Sequence, residues 1–178
     1  KRVYDTYAGS VHGSALFNKH NRDVPICTDC HTAHNVKDPY EAEYHEHIPD
    51  TCSSCHSNDA LMAKYGISTN VIKTYLSDFH GITLSMIRDQ EDLSPRRARP
   101  IAVCTDCHGT HDIMRISSYS PQVLKQKLLE RCRTCHHGAT ENFPDAWLSH
   151  YEPSLKTAPA VFIVRASYQM LMPLMVAG

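Results

Sequence analysis

Two cysteines and two histidines lie within eight residues near the start of the chain. The pentapeptide CTDCH, residues 27–31, is followed by His34, so the order of these residue types is CxxCHxxH. Cysteine sulfur and imidazole nitrogen are ligands for zinc and for iron, and two closely spaced thiols can also form a redox pair. The number of such motifs in the chain decides between these chemistries.

All eight cysteines belong to the same motif: they form four CxxC pairs, and each pair is followed at once by histidine. A structural zinc site needs four ligands but no histidine at that fixed offset, and a thioredoxin-like dithiol would occur once, in a βαβ setting. CxxCH is the attachment signature of c-type haem, in which two thioethers hold the porphyrin and the histidine ligates iron. The sequence therefore predicts four covalent haems, with zinc or disulfide sites as the alternative. The predicted attachment residues are Cys27, Cys30, Cys52, Cys55, Cys104, Cys107, Cys132 and Cys135, and the proximal ligands are His31, His56, His108 and His136.

The length of the chain limits the architecture. Four haems share 178 residues, about 45 residues each, which is too few for a separate protein core around each haem. We therefore predict a mostly α, haem-cored protein with extensive loops and little or no β-sheet, because no run of alternating apolar residues is convincing. The CxxCH spacing suits a helical turn, since residues i, i+3 and i+4 share one face. Helices are predicted from Asp38 to His47, from Asn70 to His80, from Ser120 through Cys135 and from Pro144 through His150.

The motifs occur in the same order twice. A His-Gly pair, a CxxCHxxH motif and a CxxCH motif follow one another in the first half and again in the second. Such repetition predicts two dihaem modules, residues 1–66 and 67–140, followed by a C-terminal segment, residues 141–178. The second module carries an insertion from Ser85 to Pro100, which is polar, ends at a proline and is predicted to be a loop.

Four further histidines are the candidate distal ligands: His12, His34, His80 and His111. His34 and His111 follow a proximal histidine by three residues, so each projects to the same side of the helical turn and can reach only a neighbouring haem. On this geometry His34 serves the haem of the CSSCH motif and His111 that of the CRTCH motif. His12 and His80 then serve the haems of the two CTDCH motifs, and the glycine after each lets a porphyrin approach the backbone.

Other ligands remain open. His137 and His150 compete for a distal position or could ligate a haem of a partner chain, whereas His20, His45 and His47 are assigned to solvent or to the neighbourhood of propionates. Methionine would raise the potential of a haem, but the apolar surroundings of Met62, Met86 and Met114 favour packing. Bis-histidine ligation and low potentials are therefore expected.

Charge gives no sign of a nucleic-acid partner. The formal net charge is −1, and eight haem propionates would make the assembled protein acidic unless basic residues pair with them. The cluster Arg96-Arg97-Ala98-Arg99 is short and is predicted to be a solvated loop that pairs in part with propionates. There is no signal peptide and no initiator methionine, so Lys1 is expected to be a processed or trimmed start.

The pattern SVHG, CTDCHTAH and CSSCH, repeated as FHG, CTDCHGTH and CRTCH, resembles the bis-histidine multihaem c-type cytochromes of bacterial respiration. The resemblance covers residues 10 to about 150. It implies a periplasmic or extracytoplasmic location, because haem is attached to CxxCH outside the cytoplasmic membrane in bacteria. It also implies that the second histidine of CxxCHxxH can serve a neighbouring haem.

Three functions fit the motifs. Electron transfer is favoured, because an iron with two histidines has no site for substrate; the partners would be a quinol-linked membrane complex and other redox proteins such as further multihaem cytochromes. A reductase or oxidase of small nitrogen or sulfur compounds would need one open haem with a distal base. The third is a subunit of a haem-stacking filament.

The end of the chain is apolar on nearly all sides. Residues 158–178 carry one charge, Arg165, and 13 residues follow it. A membrane span needs about 20 apolar residues. We predict membrane contact through residues 158–178, with Arg165 near the headgroups and Tyr168 at the interface, as the start of an anchor or a docking segment. The alternative is a tail helix that packs on a haem edge or a neighbouring subunit.

Overall fold

A computed structural model describes residues 2–88, 101–146, 150, 152–156 and 158–177. Two 3₁₀ helices, Ile116–Ser118 and Phe143–Ala146, accompany the α-helices, and these residues contain no strand, so the prediction of a mostly α chain with little β-sheet is confirmed. The α-helices are α1 (Arg2–Gly9), α2 (Val11–Lys19), α3 (Cys27–His31), α4 (Ala42–Glu46), α5 (Ile48–His56), α6 (Asp59–Ala63), α7 (Val71–Leu76), α8 (Phe79–Arg88), α9 (Cys104–His108), α10 (Pro121–Arg133) and α11 (Pro159–Ala177).

Each half of the chain contains a pair of helices in close backbone contact. Helix α1 packs on α2, and α7 packs on α8. Gly13 lies in α2 and Gly81 in α8, and a Cβ added at either would overlap the carbonyl oxygen of Tyr7 or Tyr75 on the preceding helix. The glycine of each His-Gly pair therefore serves helix–helix packing, and the predicted role in porphyrin approach is not needed to explain it.

The two CTDCH pentapeptides form matching short helices, α3 and α9. In each, the third residue is an aspartate whose carboxylate accepts a hydrogen bond from the backbone N–H just before the helix. Asp29 Oδ2 accepts from Ile26 N at 2.7 Å, and Asp106 Oδ2 accepts from Val103 N at 2.7 Å. These bonds satisfy a free N–H of the first helical turn. A helical CxxCH turn is thus present at both sites, as the spacing predicts.

Helix α10 agrees closely with its prediction. The Ser120 Oγ accepts from Val123 N at 3.4 Å as the N-cap, and Pro121 opens the helix. A proline at the first helical position has no N–H to leave unsatisfied. The helix ends at Arg133, however, so Cys132 is helical and Cys135 lies in the turn beyond it.

The predicted helix from Asp38 to His47 begins late. The Asp38 carboxylate accepts from Tyr40 N at 2.9 Å, and the Asp38 carbonyl accepts from Glu41 N at 3.1 Å, which forms a turn. Aspartate side chains favour such turns over helix interiors. Helix α4 therefore starts only at Ala42.

The predicted helix from Asn70 to His80 is two helices. The Asp78 Oδ1 accepts from the backbone N–H groups of His80, at 2.9 Å, and of Gly81, at 3.0 Å. This carboxylate caps the start of α8, so the chain breaks between α7 and α8.

Two further predictions lie partly outside the described residues. The predicted 85–100 loop is helical up to Arg88, and residues 89–100 lie outside the described part. In the region predicted as a helix from Pro144 to His150, the chain forms a 3₁₀ turn that ends at Ala146, and residues 147–149 are not described.

Helix α5 joins the two predicted modules, since it contacts α7 and α9. Two polar contacts also join the predicted modules. Arg88 Nη2 donates to Asp50 Oδ2 at 2.7 Å, and His45 Nε2 lies 3.0 Å from Asp106 Oδ2. The backbone also crosses the boundary, as Val11 N donates to Ile113 O at 2.8 Å. The modules are therefore packed against each other.

The apolar core of the described residues is small. One cluster holds Tyr75, Leu84 and Val103, with Ile48 and Ile101 packed on its edge. The core therefore lies where α5, α7, α8 and the segment before α9 meet.

Helix α11 has no buried residue from Pro159 to Val176, and nearly all of these side chains are exposed. Its segment Pro159–Val176 has a mean hydropathy of 1.3, no part of it is buried, and it is long and apolar enough to cross a membrane by length and composition. At about 1.5 Å per residue, such a helix approaches the ~30 Å thickness of a bilayer's hydrocarbon core.

Candidate functional site

Each of the four CxxCH histidines faces one other histidine. The ring centres of His12 and His56 lie 6.3 Å apart, and those of His80 and His136 also lie 6.3 Å apart. The remaining two pairs are His31 with His111, at 5.9 Å, and His108 with His150, at 6.0 Å.

These separations fit a metal between the rings. A metal–imidazole bond is about 2 Å long and the ring centre lies about 1 Å beyond the nitrogen, so two rings on opposite sides of one metal have centres about 6 Å apart. The observed range of 5.9 to 6.3 Å matches this value. The four pairs could each supply two axial ligands to an iron whose other four ligands come from a porphyrin.

The pairs that the structure brings together are not the predicted ones. His12 and His80 face the histidines of the CSSCH and CRTCH motifs rather than those of the CTDCH motifs. His111 does reach a neighbouring motif, but it is the first motif of the other module. The sequence repeat identifies most of the histidines that form pairs. Which two rings meet depends on how one module packs on the other.

Two of the predicted assignments change most. His150, a competitor in the sequence, occupies a pair, whereas His34, predicted as a ligand, is exposed and has no ring contact or hydrogen bond among the described residues. One sequence signal could have indicated His150. His31 pairs with the histidine of a later CxxCHxxH motif, but no such motif follows the second one, so the partner of His108 must be another histidine.

The other histidines have different neighbours. The His137 Nδ1 lies 3.1 Å from the Arg133 carbonyl oxygen, and His47 Nδ1 lies 2.9 Å from Asp50 Oδ2. His45 pairs with Asp106, and His20 is exposed at the end of α2. In the part of the chain that the structure describes, none of these four has a histidine ring as partner.

Hydrogen bonds orient two of the paired rings. The His31 Nδ1 lies 3.2 Å from the Tyr44 hydroxyl, which donates to the Cys30 carbonyl at 3.3 Å. The His150 Nδ1 lies 3.3 Å from Thr74 Oγ1, which donates to the Asn70 carbonyl at 2.9 Å. In both rings the Nδ1–H can donate to the hydroxyl, which leaves Nε2 for a metal, as is usual for ligating histidines.

Burial favours the neutral imidazole in two of the four pairs. It lowers the pKa of His12 and His56, and the nearby His56 ring lowers the pKa of His12 further. Burial likewise lowers the pKa of His108 and His150. A neutral imidazole has the lone pair that a metal needs.

No disulfide joins any of the eight cysteines. The thiols of Cys52 and Cys104 meet where the modules touch, and the hydrogen bond between them raises the pKa of Cys52 and lowers that of Cys104. Burial raises the pKa of Cys107 to about 11. Cysteines of two successive CxxCH motifs thus lie close together across the boundary between the predicted modules.

A zinc-type cluster is not found among the described residues, where no group of three or more histidine, cysteine or acidic side chains surrounds a common point. A structural zinc site is closed by four protein ligands. Each histidine pair offers two imidazole ligands, which is too few for a closed zinc site and equals the number of axial positions on a porphyrin iron.

Comparison with known proteins gives no relative on which to base an assignment: no family model, no curated protein and no solved structure matches this chain. The function must therefore be argued from the histidine pairs, the cysteines and the packing around them.

Proposed function

We propose that this chain is an electron-transfer protein that carries four covalent c-type haems, with each iron held between two histidines. The observation that carries the proposal is the pairing of every CxxCH histidine with one other histidine at 5.9 to 6.3 Å. When bound, each haem supplies an iron that takes up and releases one electron.

The sparse core supports a cofactor-filled interior. The chain has 13483 Å² of accessible surface. A compact monomer of 20.1 kDa is expected to have about 8,700 Å². The exposed helix α11 accounts for part of the excess, and large cofactors between the other helices would cover a further part.

The packing of the motifs supports a route through the chain. The Cys52 and Cys104 thiols lie close enough to shift each other's pKa, and α5 lies against α9. Haems attached there would have neighbouring edges, so the step between modules would fall at this contact. His111, which faces His31, would hold the two modules together as well as ligate.

An orphan donor near the same boundary suits a propionate. The Arg88 guanidinium binds Asp50 and the Glu46 carbonyl, but its Nε is buried and has no hydrogen-bond partner among the described residues. A buried donor without a partner is costly. A haem propionate is an acceptor that could satisfy it.

The pairing favours electron transfer over catalysis. An oxidoreductase of small nitrogen or sulfur compounds would need an iron with one open axial position. Each proximal histidine has a partner ring, so every proposed iron has both axial positions filled. The physiological acceptor would therefore be another redox protein.

The properties of helix α11 favour a location of the protein at a membrane. It is apolar and exposed, which is unfavourable in water unless another surface covers it. We assign it to contact with the bilayer at its extracytoplasmic face, beside a quinol-linked complex. High salt without detergent should leave the full-length protein on membranes, and its release by salt alone would rule out this contact.

The haems themselves are tested on the protein produced with a c-type maturation system. Intact mass should give four covalent haems, and the reduced protein should bind no carbon monoxide because no iron is open. Fewer than four haems, or a carbon monoxide complex at native pH, would contradict the proposal. The double variant Cys27→Ser with Cys30→Ser should lose one haem, and its mass calibrates the haem count of the wild type.

A further inference from the structure

Two of the eight paired histidine rings lie against a hydroxyl group. The Tyr44 hydroxyl is 3.2 Å from Nδ1 of His31, and the Thr74 hydroxyl is 3.3 Å from Nδ1 of His150. His31 belongs to the first CTDCH motif, and His150 faces His108 of the second. Each CTDCH motif therefore has a ring with a hydroxyl partner, which α4 supplies in one case and α7 in the other.

The other two pairs lack this feature. They are His12 with His56 and His80 with His136, the pairs of the CSSCH and CRTCH motifs. Within the described residues, no hydrogen bond reaches a ring nitrogen of these four histidines. The hydroxyl contact thus distinguishes the CTDCH pairs from the other two.

The proton of each hydroxyl group is already donated elsewhere. The Thr74 hydroxyl donates to the Asn70 carbonyl oxygen at 2.9 Å, and the Tyr44 hydroxyl donates to the Cys30 carbonyl oxygen at 3.3 Å. A hydroxyl group has one proton, and a carbonyl oxygen can only accept. Each hydroxyl oxygen therefore accepts a hydrogen bond from Nδ1–H of its histidine, and the ring keeps the lone pair of Nε2 for iron.

Both hydroxyl groups are held in place by their surroundings. The Tyr44 ring lies parallel to the His31 ring, with 9° between the planes and 5.9 Å between the centres. Thr74 is 7% exposed, so its hydroxyl has little access to water. The two bonds therefore limit rotation of the histidine rings, which is how a hydrogen-bond partner orients a ligating histidine.

A hydrogen bond at Nδ1–H also changes the imidazole as a ligand. Donation from Nδ1–H increases the electron density on Nε2 and makes the imidazole more basic. A more basic ligand stabilises Fe(III) more than Fe(II), so it lowers the reduction potential of the iron.

We propose that Tyr44 and Thr74 are positioning residues that lower the reduction potentials of the two irons bound at the CTDCH motifs. The inference rests on the proposed function, because it concerns the same axial ligands. These two irons would give up an electron more readily than they would without the hydroxyl groups.

The test removes each hydroxyl group from the mature full-length protein. Tyr44→Phe keeps the ring and loses the oxygen, and Thr74→Val keeps the shape of the side chain and loses the hydroxyl. We expect the sum of the four midpoint potentials to rise in each variant, since the sum contains the shift of the affected iron. Potentiometric titration followed by absorbance measures this sum.

The two variants should differ in size. For Tyr44→Phe the ratio of oxidised to reduced iron at a fixed potential should fall about three- to tenfold, or roughly 30–60 mV at 59 mV per tenfold. The Val71 backbone also forms a hydrogen bond with His150. The rise for Thr74→Val should therefore be smaller.

Two matched controls remove hydroxyl groups that have no bond to a histidine ring among the described residues. Tyr40→Phe alters an exposed tyrosine close to α4 in the sequence. Thr83→Val removes a helix hydroxyl that donates to the Phe79 carbonyl oxygen at 2.6 Å, as the Thr74 hydroxyl does to Asn70. Neither control should move the sum. Thr74→Ser keeps the hydroxyl and should keep the wild-type sum, which a purely steric role of threonine would not predict.

The inference is overturned by an unchanged sum in Tyr44→Phe and Thr74→Val while all four haems stay low-spin. An equal rise in the controls, or a fall in place of a rise, would overturn it as well. A wild-type protein without four low-spin haems would instead refute the proposed function, so the two failures are distinct.

Discussion

The first and second modules share a plan and differ at one point. Both contain a helix pair joined at a glycine, a CTDCH helix capped by its own aspartate, and a His-Gly histidine that faces the module's second CxxCH motif. Among the residues that the structure describes, only the second module brings its CxxCHxxH histidine to a histidine ring of the other module. Contacts within a module therefore determine its local structure. The contacts between modules differ according to whether the module is the first or the second.

The largest loss of stability is expected at the two glycines that join a helix pair in each module. Gly13→Ala and Gly81→Ala each place a methyl group on a backbone carbonyl of the preceding helix. Overpacking against a rigid backbone should destabilise by about 3 kcal/mol, and each should misplace one His-Gly histidine. Thermal unfolding and the low-spin haem count measure this.

Gly9→Ala is the matched control for both changes, since a Cβ there has open space around it. An equal loss in this variant, or no loss at Gly13 and Gly81, would mean that the two helix pairs do not need close backbone contact.

The next effect separates the modules. His111→Met should raise the potential of one haem by on the order of 0.1 V, within the ~0.8 V range that axial ligands span. His34→Met should leave all four potentials of the isolated chain unchanged. Potentiometric titration followed by absorbance compares them. Equal shifts in both variants would remove the distinction between the two copies.

A smaller effect concerns the two turns. Thr32→Gly relieves the left-handed strain and should stabilise by about 1 kcal/mol, after allowance for the greater freedom of glycine when unfolded. Gly109→Ala should destabilise by about 1–3 kcal/mol, because alanine takes the strain and its Cβ overlaps Asp112 Oδ1. The midpoint of thermal unfolding should rise for Thr32→Gly and fall for Gly109→Ala. A lower midpoint for Thr32→Gly would show that the turn at Thr32 is not strained.

The smallest effect comes from the two capping aspartates. Asp29→Asn and Asp106→Asn both weaken a cap, but only Asp106 also pairs with His45. Asp106→Asn should therefore cost more, by roughly 0.2–1 kcal/mol, the usual contribution of a partly exposed ion pair.

The pH dependence of this excess has a definite sign. The hydrogen bond with Asp106 raises the pKa of His45, so the pair stabilises fully below the ordinary histidine pKa of about 6.5 and is lost as pH rises through the raised value. Burial works to raise the pKa of Asp106, but the bonds from His45 and Val103 outweigh it and hold it low. The excess cost should thus be larger near pH 6 than near pH 9. An excess that grows with pH would exclude the pair.

Local sequence signals predict where several helices begin and end, whereas long-range packing decides which side chains meet. The Ser120-Pro121 start of α10 and the CTDCH helices follow from capping and spacing, which act within a few residues. The break at Asp78 and the late start of α4 were missed because aspartate side chains form turns that compete with helix. The facing of His31 and His111 depends on contact between modules 80 residues apart in sequence, which no local pattern encodes.

The most direct test of the account is an experimental structure of the mature protein that maps the ligands of each iron. The ring pairs predict four irons, between His12 and His56, His31 and His111, His80 and His136, and His108 and His150. An iron with an open axial position, or with a methionine or a different histidine in place of one of these, would contradict the pairing, and fewer than four irons would contradict the proposed cofactor content.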